Sequence, residues 1–385
     1  MLVVNGGHLV TVTGEVIENG KVLIENGKFV AIGRDIDSPA DAQVIDAQGK
    51  WIVPGFIDCH CHVGIVPEGL DWEYSDVNEA TNATTGFVRA IDGIDFNDKG
   101  FQDALDGGVT AMIIHPGSSN VIGGTDVALK AAGENLSDRI LRNPAGVKMA
   151  WTAGSRKAPQ PFKDTPYPST RMGIASILRG YFTLARDYMN ASDEKKREIE
   201  KSPFERFTLE VLSMVLRREI PARIHSMTPA DFYPLFRLQD EFGFEFTVDH
   251  GDEAYMVANE LSSRRIPVNY GPLMGDRWIP MFPHSRPDSP KLLDEAGVLV
   301  SFQTDHPVVS IRDLRLQAAI CVKYGLPADR ALRMLTINPA TIMGVEKRLG
   351  SIETGKDADF SIFSGHPLLV RSQVEAVFIN GIRVK

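Results

Sequence analysis

The sequence has few cysteines, no excess of basic residues and no long apolar run, and each shortage excludes a class of protein. Three cysteines among 385 residues exclude a disulfide framework and favour a reducing compartment. The formal charge of −9, from 41 basic and 50 acidic side chains, disfavours nucleic acid or an anionic membrane as the main partner. No apolar run approaches the ~18 residues of a membrane span. The first ten residues also lack the pattern of a signal peptide, so we expect a soluble cytoplasmic protein.

The pattern of strands and helices changes twice along the chain. Before residue 51, short β-branched runs are separated by Asn-Gly pairs such as Asn5–Gly6 and Asn26–Gly27, which indicate hairpins. Strand-like runs then alternate with helical periodicity, and this alternation favours a parallel sheet covered by helices. The last segment returns to strands around Asn380–Gly381. We therefore predict an α/β protein with a (β/α)₈ TIM-type barrel over residues 51–348 and a small β-sandwich domain built from residues 1–50 and 349–385.

Two histidines, His60 and His62, lie two residues apart in a predicted strand. Residues two apart in a strand point to the same face, so the two imidazoles share a face and can bind one metal ion. Cys59 and Cys61 point to the opposite face, which excludes a zinc finger made of all four residues.

Polar residues also close three later strands. His225 ends residues 221–225, His250 ends residues 246–250, and Asp305 ends residues 299–305, each just before a predicted loop. The carboxyl ends of the strands are the face of a (β/α)₈ barrel where active sites assemble. Nitrogen and oxygen ligands of this kind suit a zinc-like ion. Lys148 lies in an otherwise apolar strand, where an ammonium group is costly to bury, and a lysine carbamylated by CO₂ could instead bridge two cations.

At this point the chain resembles the amidohydrolase superfamily of metal-dependent hydrolases, nearest its imidazolonepropionase-like and dipeptidase-like branch. The resemblance spans nearly the whole chain and rests on an ordered set of motifs: residues 53–62 (VPGFIDCHCH), 107–110 (GGVT), 121–124 (VIGG), 304–307 (TDHP), 336–340 (TINPA) and 350–359 (GSIETGKDAD).

The resemblance implies a role for each candidate residue. It implies metal ligands at His60, His62, His225, His250 and Asp305, and a carboxylated, bridging Lys148. One or two divalent ions, with zinc favoured, would then be held. Asp305 would also carry a proton from the attacking water to the leaving nitrogen, and His250 could stabilise the oxyanion. The implied reaction is hydrolysis of a C–N bond in a small amide, dipeptide or cyclic amide.

Some features leave alternatives open. Deaminases of the superfamily carry a glutamate three residues after the fifth-strand histidine, and this chain has Thr228 there, which weakens a deaminase interpretation. A non-catalytic scaffold would be expected to lose ligands, whereas this chain keeps a full candidate set. Arg156, Arg171 and His115 are candidate substrate-binding residues, although each arginine is individually more often a surface residue. One ion or two, and a homo-oligomer, are both compatible with the sequence.

Overall fold

The computed structural model of the protein describes residues 1–69, 75–79, 81–151, 168, 170–274 and 283–385. Within these residues the strands form three hydrogen-bonded sheets of eight, four and six strands. None of the helices in the described ranges is long and apolar enough to cross a membrane.

Both ends of the chain contribute to the eight-stranded sheet, called here the terminal sheet. Its order is β18-β17-β16-β5-β1-β2-β3, and β4 pairs with β1. Its strands are β1 Leu2–Leu9, β2 Ile17–Glu25, β3 Lys28–Gly33, β4 Gln43–Asp46, β5 Trp51–Pro54, β16 Phe360–Phe363, β17 Val374–Ile379 and β18 Ile382–Arg383. The pairing of β5 with β16 joins the N-terminal and C-terminal segments directly.

The Asn-Gly pairs of the terminal sheet behave in two ways. Asn26–Gly27 and Asn380–Gly381 have positive φ at both residues and form tight hairpin turns, as predicted. The prediction of a hairpin at Asn5–Gly6 is wrong, because β1 runs through it with a register shift against β2. A bulge accommodates the extra residue without reversing the chain.

The four-stranded and six-stranded sheets carry the central part of the chain. The four-stranded sheet has the order β10-β9-β7-β6, with β6 Phe56–Cys61, β7 Val109–Ile114, β9 Val127–Lys130 and β10 Ile140–Arg142. The six-stranded sheet has the order β15-β14-β13-β12-β11-β8, with β8 Ile122–Thr125, β11 Val147–Ala150, β12 Ala222–Ser226, β13 Phe246–His250, β14 Val268–Tyr270 and β15 Val300–Phe302.

Strands β11 to β15 are parallel neighbours, as the alternation of strands and helices predicts. The helices are α1 Lys99–Gly107, α2 Leu136–Arg139, α3 Arg171–Met189, α4 Asp193–Ile199, α5 Pro203–Leu216, α6 Pro229–Phe242, α7 Ala258–Ser263, α8 Ser289–Glu295, α9 Leu314–Lys323, α10 Ala328–Leu335 and α11 Ile337–Met343, with 3₁₀ turns at Ala90–Asp92, Ala254–Val257 and Ile311–Asp313. Ile224 and Val248 of the strands share one core with Leu209 and Leu235 of the helices. The alternate strand residues are therefore free to face the other side of the sheet.

The four-stranded and six-stranded sheets meet at β6 and the segment after β15. Asp305 donates its backbone N–H to the carbonyl of His60 at 3.1 Å, and His62 donates to the carbonyl of His306 at 3.0 Å. Asp58 adds a side-chain link, because its Oδ2 accepts the Thr304 hydroxyl at 2.5 Å. These bonds hold the first and last candidate ligands next to one another.

A buried lysine links the terminal sheet to the four-stranded sheet. Lys130 is fully buried at the end of β9, and its ammonium lies 2.9 Å from Asp357 Oδ2, 2.9 Å from Asp359 Oδ1 and 2.7 Å from Asn380 Oδ1. Arg348 and Lys28 also pair with Asp357. A buried ammonium with three oxygen partners is satisfied, and it fixes the C-terminal strands against β9.

Candidate metal centre

Six polar side chains predicted to act together lie on five strands or just after them. Strand β6 carries His60 and leads to His62, β11 carries Lys148, β12 carries His225, β13 ends at His250, and Asp305 follows β15 by three residues. His225, His250 and Asp305 are near, at or beyond the carboxyl ends of parallel strands, the edge where a parallel sheet binds ligands, and Lys148 is the second residue of β11.

Asp305 connects the two histidines of β6. Its Oδ1 lies 3.2 Å from His60 Nε2 and 3.1 Å from His62 Nε2. Both rings point to the same side of the strand, as the two-residue spacing predicts. Burial acts to raise the pKa of Asp305, but the hydrogen bonds with His60 and His62 outweigh it and hold that pKa well below its usual range. Asp305 is therefore a carboxylate at neutral pH.

Three of the histidines have an oxygen atom within hydrogen-bond distance of Nδ1. His60 Nδ1 lies 3.0 Å from Asp249 Oδ2, His62 Nδ1 lies 2.8 Å from the His115 carbonyl, and His250 Nδ1 lies 3.0 Å from the Gly271 carbonyl. An oxygen acceptor at Nδ1 favours the tautomer with hydrogen on Nδ1 and a lone pair on Nε2. Hydrogen bonds of this kind at the nitrogen away from the metal orient metal-binding imidazoles.

His225 and His250 lie against each other in the interior, with ring centroids 4.1 Å apart. Within the part of the chain that the structure describes, His225 Nδ1 and His250 Nε2 are buried without a hydrogen-bond partner. Burial lowers the pKa of His225 well below its usual value and that of His250 to about 3. Both rings are thus neutral, which is the form that binds a cation.

The backbone is left-handed at two of these positions. His250 has φ of 77° and Asp305 has φ of 51°, a region that residues other than glycine seldom adopt. At the end of β13, His250 and the preceding Asp249 both lie beside His60, which strand alternation alone would not allow. Such residues persist where the surrounding structure fixes them, commonly at functional sites.

Lys148 joins the same cluster from β11. Its Nζ lies 3.1 Å from His60 Nε2 and 3.5 Å from Asp249 Oδ2, and the side chain is almost fully buried. Burial lowers the pKa of Lys148, although Asp249 and Asp305 oppose the change. A buried amine with a lowered pKa is the form of lysine that can react with CO₂.

The donor set fits a divalent cation. His60, His62 and Asp305 each offer a ligand atom, and these atoms lie within 4.8 Å of one another. A second set formed by His60, His115 and Asp249 meets the same limit. Neutral imidazole and carboxylate are the donors that zinc and related ions prefer.

The three predicted substrate-binding residues lie in different surroundings. His115 is fully buried, with Nε2 3.0 Å from the Cys59 carbonyl, Nδ1 3.1 Å from Asp126 and its ring 4.6 Å from the His60 ring. Arg171 begins helix α3 and donates to Asp231 Oδ1 at 2.6 Å. Arg156 lies outside the described residues.

Sequence reasoning missed three polar residues that support the cluster. Asp58 joins β6 to Thr304, Asp249 contacts His60, and Gln303 donates to the Gly271 carbonyl at 2.7 Å, beside His250. A carboxyl or amide group in or just after an otherwise apolar strand was the sequence feature that could have indicated these residues. Such groups need a hydrogen-bond partner when they are buried.

Comparison with known proteins identifies the family. The model for the Amidohydrolase family matches residues 242–384, which include His250 and Asp305. The crystal structure of an amidohydrolase from Thermotoga maritima MSB8 is 38% identical, covers 100% of both chains and superimposes with a TM-score of 0.92. The chain belongs to the amidohydrolase family. The resemblance inferred from the motifs is thereby confirmed.

Two curated relatives extend the comparison. Amidohydrolase tasK of Hapsidospora irregularis is 28% identical over 94% of this chain, which spans only 39% of that protein. Imidazolonepropionase of Thermoplasma acidophilum is 23% identical over 96% of this chain and 87% of its own length. Homologues of this amidohydrolase act on C–N bonds of small molecules, and the family implies the use of a metal. The family neighbours also have the TIM-barrel type of fold with mixed α/β content.

Proposed function

We propose that this amidohydrolase hydrolyses an amide-type C–N bond of a small molecule at a metal centre. The observation that carries the proposal is the shared orientation of His60, His62 and His250. Each has an oxygen atom at Nδ1, and the Nε2 atoms of His60 and His62 both point to Asp305 Oδ1.

The residues that would hold the metal are His60, His62, His225, His250 and Asp305, with a carboxylated Lys148 if two ions are present. Zinc suits this set of nitrogen and oxygen donors. A divalent ion supplies Lewis acidity, which makes water more acidic and polarises the carbonyl of the substrate.

Asp305 is the residue that we propose to move the proton. Its carboxylate is ionised at neutral pH, so Oδ1 or Oδ2 can accept a proton from the attacking water. The same carboxyl group can then give that proton to the leaving nitrogen, which restores the starting state. His250 is the second candidate catalytic group, since an imidazole at the site can stabilise developing negative charge on the substrate oxygen.

The arrangement after β12 supports amide hydrolysis over deamination. Thr228, three residues after His225, caps helix α6, and both its backbone N–H and its hydroxyl lie 3.1 Å from Asp231 Oδ2. Asp231 also binds Arg171, so its carboxylate is engaged in holding the helix start. This loop therefore offers no free acid at the position that deaminases use.

A substrate screen with metal analysis tests the proposal. We expect purified protein to contain a divalent ion and to hydrolyse a member of a panel of N-acyl amino acids, dipeptides and lactams. Removal of the ion by a chelator should abolish this activity, and added Zn²⁺ should restore it. A His60→Ala/His62→Ala variant is the control, because it lacks two ligands. Ammonia release from purines, with no hydrolysis of the amide panel, would favour a deaminase instead.

Replacement of Lys148 tests the bridging role. We expect the metal content to be two ions per chain in the wild type and one in Lys148→Met, because methionine cannot become a carbamate. Lys195→Met is the matched control, since the Lys195 side chain is 62% exposed and pairs only with Glu198 among the described residues. Metal content by elemental analysis is the measurement. A Lys148→Met protein that keeps the wild-type content contradicts the bridge.

Several wider features stay proposals. We propose a closed (β/α)₈ barrel over residues 51–348 and a separate small β-sandwich domain from residues 1–50 and 349–385. Contacts of Arg156, Arg171 and His115 with substrate, a cytoplasmic location and a homo-oligomer also stay predictions.

A further inference from the structure

A fully buried carboxylate, Asp249, lies behind the candidate ligands. It occupies β13 one residue before His250 and is 0% exposed. Its Oδ2 lies 3.0 Å from His60 Nδ1 and 3.5 Å from Lys148 Nζ. Its Oδ1 accepts from Asn269 Nδ2 at 2.8 Å and from the Thr247 hydroxyl at 3.4 Å. Oδ1 of Asp249 is therefore bound within the sheet, and Oδ2 faces His60 and Lys148.

The partners of Oδ1 fix the plane of the carboxylate. Asn269 is paired with Asp249 across β13 and β14, and Ser301 is paired with Asn269 across β14 and β15. The Ser301 hydroxyl donates to Asn269 Oδ1 at 2.7 Å, so the Asn269 amide nitrogen faces Asp249. This row of hydrogen bonds at one level of the sheet leaves Oδ2 aimed at His60.

We propose that Asp249 is a positioning residue that orients His60 for metal binding. Asp249 accepts the Nδ1–H of His60 and holds the ring with Nε2 toward Asp305. This hydrogen bond also makes Nε2 a stronger metal ligand. The inference rests on the proposed function, because it assigns Asp249 a role in the same metal centre.

The geometry favours this role over a simple ion pair with Lys148. The Asp249–His60 distance is 0.5 Å shorter than the Asp249–Lys148 distance of 3.5 Å. His60 also has Asp305 at Nε2, 3.2 Å away, so its ring lies between two carboxylates. The contact at Nδ1 sets the orientation of the ring, and that orientation points Nε2 toward Asp305, which also contacts His62.

Exchange of the Asp249 and Asn269 side chains tests whether Asp249 orients His60 or only stabilises the sheet. In Asp249→Asn the amide oxygen can still accept from Asn269, so the amide nitrogen faces His60 Nδ1 and no acceptor remains there. We expect its affinity for Zn²⁺ to fall about 10–100-fold below that of the wild type. In the double variant Asp249→Asn/Asn269→Asp, the carboxylate at 269 accepts the amide N–H of residue 249, so the amide oxygen of residue 249 faces His60 again. We expect the double variant to recover part of the lost affinity.

Zn²⁺ affinity is measured by competition with a chelator, and the absorption spectrum of the Co²⁺-loaded protein reports the ligand geometry. Asp240→Asn is the control, because it makes the same substitution at a 60% exposed carboxylate that pairs with Arg264 outside the row. It should bind Zn²⁺ as the wild type does.

The outcomes distinguish the inference from the proposed function. Wild-type affinity and an unchanged Co²⁺ spectrum in Asp249→Asn would overturn the positioning role and leave the metal centre intact. If the wild-type protein binds Zn²⁺ no better than the His60→Ala/His62→Ala variant, the proposed function itself fails.

Discussion

Replacement of Asp305 by asparagine is expected to reduce turnover by about 10²–10⁴-fold and to preserve the fold. Asparagine has almost the same shape and can keep one oxygen near His60 and His62, whose Nε2 atoms lie 3.2 and 3.1 Å from Asp305 Oδ1. An amide cannot accept the proton of the attacking water at neutral pH. The reaction therefore loses its base and, in the second half, its acid.

Three measurements isolate this effect. kcat and KM are compared on the best substrate of the screen, metal content is determined in the same preparation, and circular dichroism checks the fold. Asp240→Asn is the matched control, because Asp240 is a 60% exposed partner of Arg264 on the surface. Near-wild-type kcat in Asp305→Asn, with full metal content, would remove Asp305 from the proton transfer.

The position of Asp305 illustrates what the sequence can predict about the centre. Polar residues that close apolar strands were expected to meet at one edge of a parallel sheet, and the structure brings His60, His62, His250 and Asp305 together. Local pattern is sufficient here, because the strand order follows from the fold and each side chain is near the end of its strand or just beyond it.

Asp249 shows why the residues that support the ligands could not be predicted from the sequence. Strict alternation would place Asp249 and His250 on opposite faces of β13, so choosing His250 as a ligand argues against an inward Asp249. His250 instead adopts φ of 77°, which lets consecutive residues both face the interior. The His250 ring contacts Gly271 and Gln303, which are distant in sequence, so its placement has no local signal.

The Asn-Gly pairs show that contacts distant in sequence also decide local features of the fold. Asn26–Gly27 turns the chain because β2 and β3 pair on either side of it, whereas Asn5–Gly6 lies inside a strand that stays paired with β2. Gly7 packs so closely on Ile52 that an added Cβ would lie 2.7 Å from its side chain. Contacts with β5, 45 residues later, therefore decide between a bulge and a turn.

The buried Lys130 is the basis of the largest expected effect on stability. Lys130→Met should lower the free energy of unfolding by about 3–5 kcal/mol, because it removes one partner of a buried ion cluster. Asp357 and Asp359 would then be left side by side without the ammonium that lies 2.9 Å from each. Asp357 keeps Arg348 and Lys28, but both are half-exposed, so they compensate only in part.

Urea-induced unfolding of wild type and variant at neutral pH gives this difference. Lys291→Met is the control, since Lys291 forms a surface pair with Glu295 at 3.8 Å and should change stability by less than about 0.5 kcal/mol. Equal unfolding curves for Lys130→Met and wild type would show that the cluster does not stabilise the junction between the terminal sheet and β9.

The pH dependence of the difference in unfolding free energy between wild type and Lys130→Met supplies an independent check. Burial acts to raise the pKa of Asp357, but Lys130 and the other cations outweigh it and lower that pKa from 3.8 to about 2. A lowered carboxyl pKa stabilises the folded state fully above the unfolded value and loses this contribution as pH falls toward 2. The gap between wild type and Lys130→Met should therefore narrow by about 1 kcal/mol between pH 6 and pH 3. A gap that widens in acid would mean that protonation of Asp357 does not control the cluster.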